Sequence, residues 1–203
     1  MPTDMGAVWD CAMLRWRPAI GDPTLMGWLT VAGYFAAAAL ALFATRAALR
    51  GRDRAERLFW IACCAGFLFL GVNKQLDLQS LLTAIGRCVA QIQGWYEDRR
   101  AVQAEFILVI LAACGALFAV FAWALRKSLR RNWLALLGAA MIAGFILVRA
   151  VGFHHVDAAL GLRFGGWRLN WILELGGIAI FSLGALKRIA APRAPLSGPD
   201  QSR

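Results

Sequence analysis

Five long apolar runs divide this chain, and charged residues mark where each run stops. Between Asp22 and Arg46 stand 23 uncharged residues, between Arg57 and Lys74 16, and between Glu105 and Arg126 20. Between Arg131 and Arg149 there are 17, and between Arg168 and Lys187 18, interrupted once by Glu174. About 20 apolar residues of helix cross the hydrocarbon core of a bilayer. Past Pro23, each run is rich in Ala, Leu, Ile, Phe and Gly and free of Pro, so nothing in it breaks a helix. The pattern predicts an all-α polytopic bundle of five transmembrane helices at about 24–45, 58–73, 105–125, 132–149 and 168–186, forming one domain over 1–189.

Between the second and third runs the period changes. Leu78, Leu81, Leu82, Ile85, Val89 and Ile92 recur at helical spacing, with Asp77, Ser80, Arg87 and Gln91 between them. An amphipathic helix over 76–93 is expected, lying on the outer surface or capping the bundle; the alternative is a continuation of the second span beyond the membrane. Gly94 would end it. The first 24 residues, with Pro18, Gly21, Asp22 and Pro23, read as a short structured lead-in ending in a turn or helix start, without the basic opening of a signal peptide. Residues 190–203 carry three Pro and little to bury, and are expected to form a disordered cytoplasmic tail.

Composition agrees with the runs. The chain has 203 residues, 60% of them apolar and only 17% charged, with a mean hydropathy of +0.59. That excludes a disordered basic tail, a secreted disulfide scaffold and a two-domain soluble enzyme. The net charge of +10 would by itself suggest nucleic acid. Sorting the charges by side removes that suggestion. With the N-terminus outside, thirteen Lys and Arg and three acids fall on the inner side, while nine of each fall outside. The excess therefore sits in short inner loops, which the positive-inside rule reads as cytoplasmic. The expectation is a bacterial inner-membrane protein, N-terminus out and C-terminus in, with the lipid bilayer and not nucleic acid as its partner. Trp28, Trp167 and Trp171 at outer ends, and Trp60, Trp123 and Trp133 at inner ends, are expected to form interfacial belts.

Cys63, Cys64 and Cys114 lie within spans, where Cys acts as a small apolar residue. Cys11 and Cys88 both fall on the outer side, where an oxidising compartment would let them pair. No Cys-x-x-Cys spacing occurs.

Helix rise places the polar residues by depth. Counted from the inner basic residue of each span at ~1.5 Å per residue, Lys74 lies ~25 Å up, Asp77 ~30 Å, Arg149 ~27 Å, Glu105 ~31 Å, Asn170 ~25 Å and Glu174 ~20 Å. They converge on the outer third of the membrane. Glu174 is the one acid well inside a span, and a carboxylate there must be paired, hydrogen-bonded or protonated. Arg149 and Lys74 are its expected partners; structural pairing and a ligand-binding or proton-handling role are both open to it. His154 and Asp157 share a helix face. Together they would supply a general base or a weak divalent-metal site; hydrogen bonding to the loop is the plainer reading. A haem is disfavoured, because His154 and His155 are the only histidines and neighbours in sequence. Asp77, Glu105, Arg99 and Arg100 are expected to form ion pairs at helix ends. Lys74 and Arg149 at headgroup depth suit an anionic lipid headgroup or phosphate.

Arg149, five residues, His155 and then Asp157 resembles the third motif of the type-2 phosphatidic-acid phosphatases, in which Arg, five residues, His, three residues and Asp stand at the extracytoplasmic face. Here one residue separates His155 from Asp157, and the family's Lys–Arg-Pro and Pro-Ser-Gly-His segments have no counterpart. The chain is therefore not placed in that family. NKQLDLQ (73–79), GWYEDRR (94–100), GFHHVD (152–157) and LNWILEL (169–175) together resemble a family of small bacterial multi-pass inner-membrane proteins, over most of the chain. That resemblance implies class and bacterial origin and attaches no activity.

Two functions follow as expectations. In the first, an outward-facing polar site binds an anionic headgroup, phosphate or divalent cation, with hydrolase or transferase chemistry open to it. Lys74 and Arg149 would then hold the anion, with His154, Asp157 and Glu174 as the catalytic candidates. In the second, the chain is a non-enzymatic accessory or assembly subunit of a larger membrane complex, or a homo-oligomer. Small residues at Ala36 to Ala39 and Gly138 to Gly144 would permit close helix contact there. A transporter ranks third, since no span carries a midplane Gly/Pro break.

Overall fold

The computed structural model describes residues 4–17, 19–49, 53–151, 163–164 and 167–191. Among them are seven α-helices: α1 (Met5–Arg15), α2 (Leu25–Leu49), α3 (Arg54–Leu76), α4 (Leu78–Ile92), α5 (Arg99–Ala124), α6 (Leu129–Val151) and α7 (Leu169–Ala190). A 3-10 turn covers Tyr96–Asp98. A two-residue antiparallel ladder, β1 (Arg163–Phe164) with β2 (Trp167–Arg168), pairs Arg163 with Arg168.

Local chemistry sets the helix ends. The Asp53 carboxylate accepts the N–H groups of Ala55 (3.1 Å) and Glu56 (3.2 Å) and so caps α3. At the start of α2, Asp22 accepts the Thr24 hydroxyl at 2.6 Å, and the Thr24 oxygen accepts the Gly27 N–H at 3.1 Å. The third helix stops because Asp77 turns left-handed, at φ 47° and ψ 51°. The amphipathic segment is thus a separate helix and not an extension of the second span.

Among the described residues four helices are long and apolar enough to cross a membrane: Leu25–Leu49, Arg54–Leu76, Leu129–Leu147 and Leu169–Ala190. The expected count of five is corrected to four. The region expected to form the third span is helical throughout α5, but the apolar stretch among its described residues runs only over Leu108–Ala124. Arg99, Arg100 and Glu105 occupy the first turns of that helix, ahead of that stretch.

The bundle core forms from α2, α3, α6 and α7. Glycine lets α6 and α7 approach closely. A Cβ at Gly138 would strike the Phe181 backbone, and one at Gly184 the Ala135 backbone. Along the middle runs an aromatic column: Tyr34 to Phe67 (6.0 Å between centroids), Phe67 to Phe181 (4.4 Å), Phe181 to Trp60 (5.7 Å) and Trp60 to Phe59 (5.2 Å). Trp60 was expected in the inner belt. It is instead fully buried against Phe59 and Phe181, because its helix turns that face into the core. Trp28, Trp123 and Trp133 remain exposed.

One end of the bundle gathers the N-terminus of α2, the C-terminus of α3 and the helices α1 and α4. The Gly21 N–H donates to the Gln75 carbonyl at 2.7 Å. The Gln75 amide accepts from the Asp22 N–H at 3.3 Å and donates to the Asp22 carbonyl at 3.2 Å. A smaller cluster of Val8, Ala12, Ala84 and Cys88 joins α1 to α4. A disulfide, Cys11–Cys88, closes it, with Cα atoms 6.0 Å apart. Arg15 adds a 2.7 Å hydrogen bond to Gln91.

Candidate functional site

The site is built upward from Glu174. It sits in the second turn of α7 and is buried, at 3% exposure. The Tyr34 hydroxyl donates to its Oε1 at 2.8 Å, and the Lys74 ammonium to its Oε2 at 2.8 Å. Three helices, α2, α3 and α7, thus meet on one carboxylate. Lys74 is itself only 10% exposed in its side chain, so the pair is drawn out of solvent and both charges depend on each other.

Directly associated with this pair is a cavity of about 360 Å³, lined by Gly21, Asp22, Thr24, Lys74, Asp77, Arg168, Asn170 and Trp171. One wall is the lead-in turn pressed on the last turn of α3. Gly21 permits that approach: a Cβ there would lie 3.2 Å from the Gln75 carbonyl oxygen and 3.3 Å from Asp77 Cβ. The other wall is the first turn of α7. Arg168 is its N-cap residue, in extended conformation, and no side chain caps the turn. The N–H groups of a helix's first turn have no intrahelical partner, and they carry the positive end of the helix dipole. The Arg168 guanidinium lies over the Trp171 ring, 5.4 Å from its centroid. The Asn170 side-chain oxygen is buried without a hydrogen-bond partner.

Several expected residues come together here. The pairing of Glu174 with Lys74 is present, and Asp77 lines the same cavity. Arg149 lies in the last turns of α6, and its side chain is outside what the structure describes. So are the side chains of Arg99 and Arg100. His154, His155 and Asp157 lie outside the described residues altogether. The salt bridges among the described residues are Lys74–Glu174, Arg131–Glu56 and Arg188–Glu56. Asp77 accepts the Ser80 hydroxyl at 2.5 Å, because its backbone turns to start α4. Among the described residues no three of His, Cys, Asp and Glu gather as a metal site.

The chain matches no family model, no curated protein and no solved structure.

At the opposite end the sequence concealed a second buried carboxylate. Glu56 is fully buried. It accepts from Arg131 (3.1 and 2.5 Å), from Arg188 (2.6 Å) and from the Asn132 amide (3.0 Å). Arg188 also donates to the Ala47 carbonyl at 3.2 Å. The cluster therefore ties α2, α3, α6 and α7 together. By charge order these residues are loop charges that set topology. The available signal was Glu56 itself, three residues after the capping Asp53 and followed by an apolar run. Its two arginine partners are 75 and 132 residues away.

Chemically the two ends differ. The Glu56 carboxylate is supplied with donors from Arg131, Arg188 and Asn132, with Arg131 reaching it from a partly exposed position. The cavity at α7 is open and offers unused groups of both signs: a guanidinium, an uncapped helix start, two carboxylates and an orphan amide oxygen.

Proposed function

We propose that this chain is a multi-pass protein of a bacterial inner membrane whose outward-facing cavity binds the phosphate of a lipid headgroup. The observation that carries this reading is the uncapped first turn of α7 opening, beside Arg168, into the cavity. Free N–H groups at a helix start, a guanidinium and a nearby ammonium are the donors a phosphate oxygen needs. Lys74 is partly neutralised by Glu174, so Arg168 and the helix start hold the anion, and Glu174 fixes Lys74 at the floor.

Depth supports the headgroup. The cavity lies at an end of apolar helices, where phosphates of a bilayer stand. In this reading the cavity faces outward. Two independent features support that orientation. The thirteen basic residues of the inner side, nine of them in its two loops, follow the positive-inside rule. The Cys11–Cys88 disulfide belongs to the cavity's end of the bundle, and disulfides persist in oxidising compartments.

The test is the phospholipid that stays with the full chain through exhaustive detergent exchange, measured as phosphorus per protein. Wild type retains bound phospholipid. Arg168→Gln loses most of it, and Arg87→Gln, at an exposed arginine on α4 away from the cavity, keeps it. Thermal unfolding of each variant separates lost binding from lost fold. Retention unaffected by Arg168→Gln would contradict the reading.

A further inference from the structure

We propose that the ligand of this cavity is a zwitterion with a primary ammonium beside its phosphate, of the phosphoethanolamine class. The inference rests on the phosphate-binding reading above and goes further, to the identity of the headgroup.

A bare anion is poorly matched to the cavity. Asp22 and Asp77 line it together with Arg168, and Asp77 packs against Gly21, the residue before Asp22. Each carboxylate uses one oxygen locally. Asp22 Oδ1 takes the Thr24 N–H (3.2 Å) and hydroxyl (2.6 Å), and Asp77 Oδ2 takes the Ser80 hydroxyl (2.5 Å). The second oxygen of each accepts no hydrogen bond among the described residues, and neither carboxylate has a salt bridge there. Two uncompensated carboxylates beside a phosphate repel it unless a cation stands between them. Lys74 does not fill that role, since its ammonium is bound to Glu174.

The chemistry of that cation follows from the unused acceptors. Asp22, Asp77 and the orphaned Asn170 oxygen all call for N–H donors, and a primary ammonium has three. A quaternary ammonium has none. It would be recognised by an open aromatic face, but the Trp171 ring is already covered by Arg168 at 5.4 Å. A headgroup such as glycerol phosphate brings hydroxyls and net negative charge, and leaves the carboxylates without a counterion. An ammonium tethered to a phosphate supplies both ends: phosphate to Arg168 and the α7 first turn, ammonium to the aspartates. The same chemistry would come from phosphatidylethanolamine or from soluble phosphoethanolamine.

The full chain in detergent is titrated with phosphatidylethanolamine, phosphatidylcholine and phosphatidylglycerol of identical acyl chains, and bound lipid is read by native mass spectrometry. Soluble O-phosphoethanolamine serves as competitor. Phosphatidylethanolamine is expected to bind roughly tenfold more tightly than the other two, from charge-assisted hydrogen bonds they cannot make. Asp77→Asn and Asp22→Asn should each erode that preference, weakening phosphatidylethanolamine binding and, with one repelling charge gone, tightening phosphatidylglycerol binding. Both variants preserve local structure, because Asn tolerates the left-handed region and keeps an acceptor for Thr24. Competition by the soluble compound supports the headgroup alone as ligand; binding of the lipid without such competition supports the membrane lipid. Equal binding of all three lipids overturns this inference while leaving the phosphate reading intact. Failure of every phospholipid to bind overturns both.

Discussion

Glu174 and Glu56 are both buried carboxylates, at 3% and 0% exposure, yet only the first was legible in the sequence. Glu174 interrupts an apolar run, so its isolation announces that it must find a partner. Glu56 hides among Arg50, Arg52, Asp53, Arg54 and Arg57, where a charge reads as solvated loop. What separates the two is helix phase and distant partners, and composition reports neither. The pairs make opposite demands on substitution. Glu174→Ala leaves the Lys74 ammonium buried without a counterion and should cost roughly 3–5 kcal/mol. The double variant Lys74→Met with Glu174→Leu removes both charges and should be markedly less damaging. Reversible unfolding in detergent measures both; a double variant as unstable as the single would show that the pair is not the source of the loss. Glu56→Ala should be at least as disruptive as Glu174→Ala, since it strands the buried Arg188 guanidinium and also removes the acceptor of Arg131 and Asn132.

Among elements, the apolar runs located α2, α3, α6 and α7 closely, because each span is fixed by charges at its ends. Less could be read of how they break and touch. The helical period of 76–93 runs on from the second span, and only the left-handed backbone of Asp77 divides α3 from α4. The small residues Gly138 to Gly144 looked like one contact stripe. In the structure a Cβ at Gly138 meets the Phe181 backbone, whereas one at Gly144 meets nothing within 4 Å. Gly138→Ala is therefore expected to destabilise the α6–α7 contact by about 1–3 kcal/mol, as overpacking does. Gly144→Ala should be neutral or stabilising by up to about 1 kcal/mol, through helix propensity. Thermal unfolding of the two variants checks this; equal losses would mean that the close approach of α6 and α7 is not what those glycines serve.

At the scale of the molecule, a dry aromatic column from Tyr34 to Phe59 separates two polar ends. The Glu56 cluster at one end is filled by its own side chains, and the cavity at the other has donors and acceptors to spare. Sequence depth had already collected Lys74, Asp77, Asn170 and Glu174 into one layer, which is why half of the site was visible early. Asp22, Thr24 and Arg168 were not singled out, because they belong to connections whose path depends on the turn at Gly21 and on the start of α7. The disulfide gives orientation its own check. A membrane-impermeant reductant applied to intact spheroplasts should free the Cys11 and Cys88 thiols, counted by alkylation. Thiols that appear only after lysis would reverse the assigned sides.

The central claim concerns contact between a lipid phosphorus and the first turn of α7. Solid-state NMR on the full chain, labelled with ¹⁵N and reconstituted in phosphatidylethanolamine-containing bilayers, reads that contact through ³¹P dephasing of nitrogen signals. The account predicts dephasing of the Arg168 guanidinium and of the Leu169 to Trp171 backbone amides, all lost in Arg168→Gln. Dephasing confined to arginines of the loops, such as Arg54 and Arg126, with the α7 amides untouched, would contradict it.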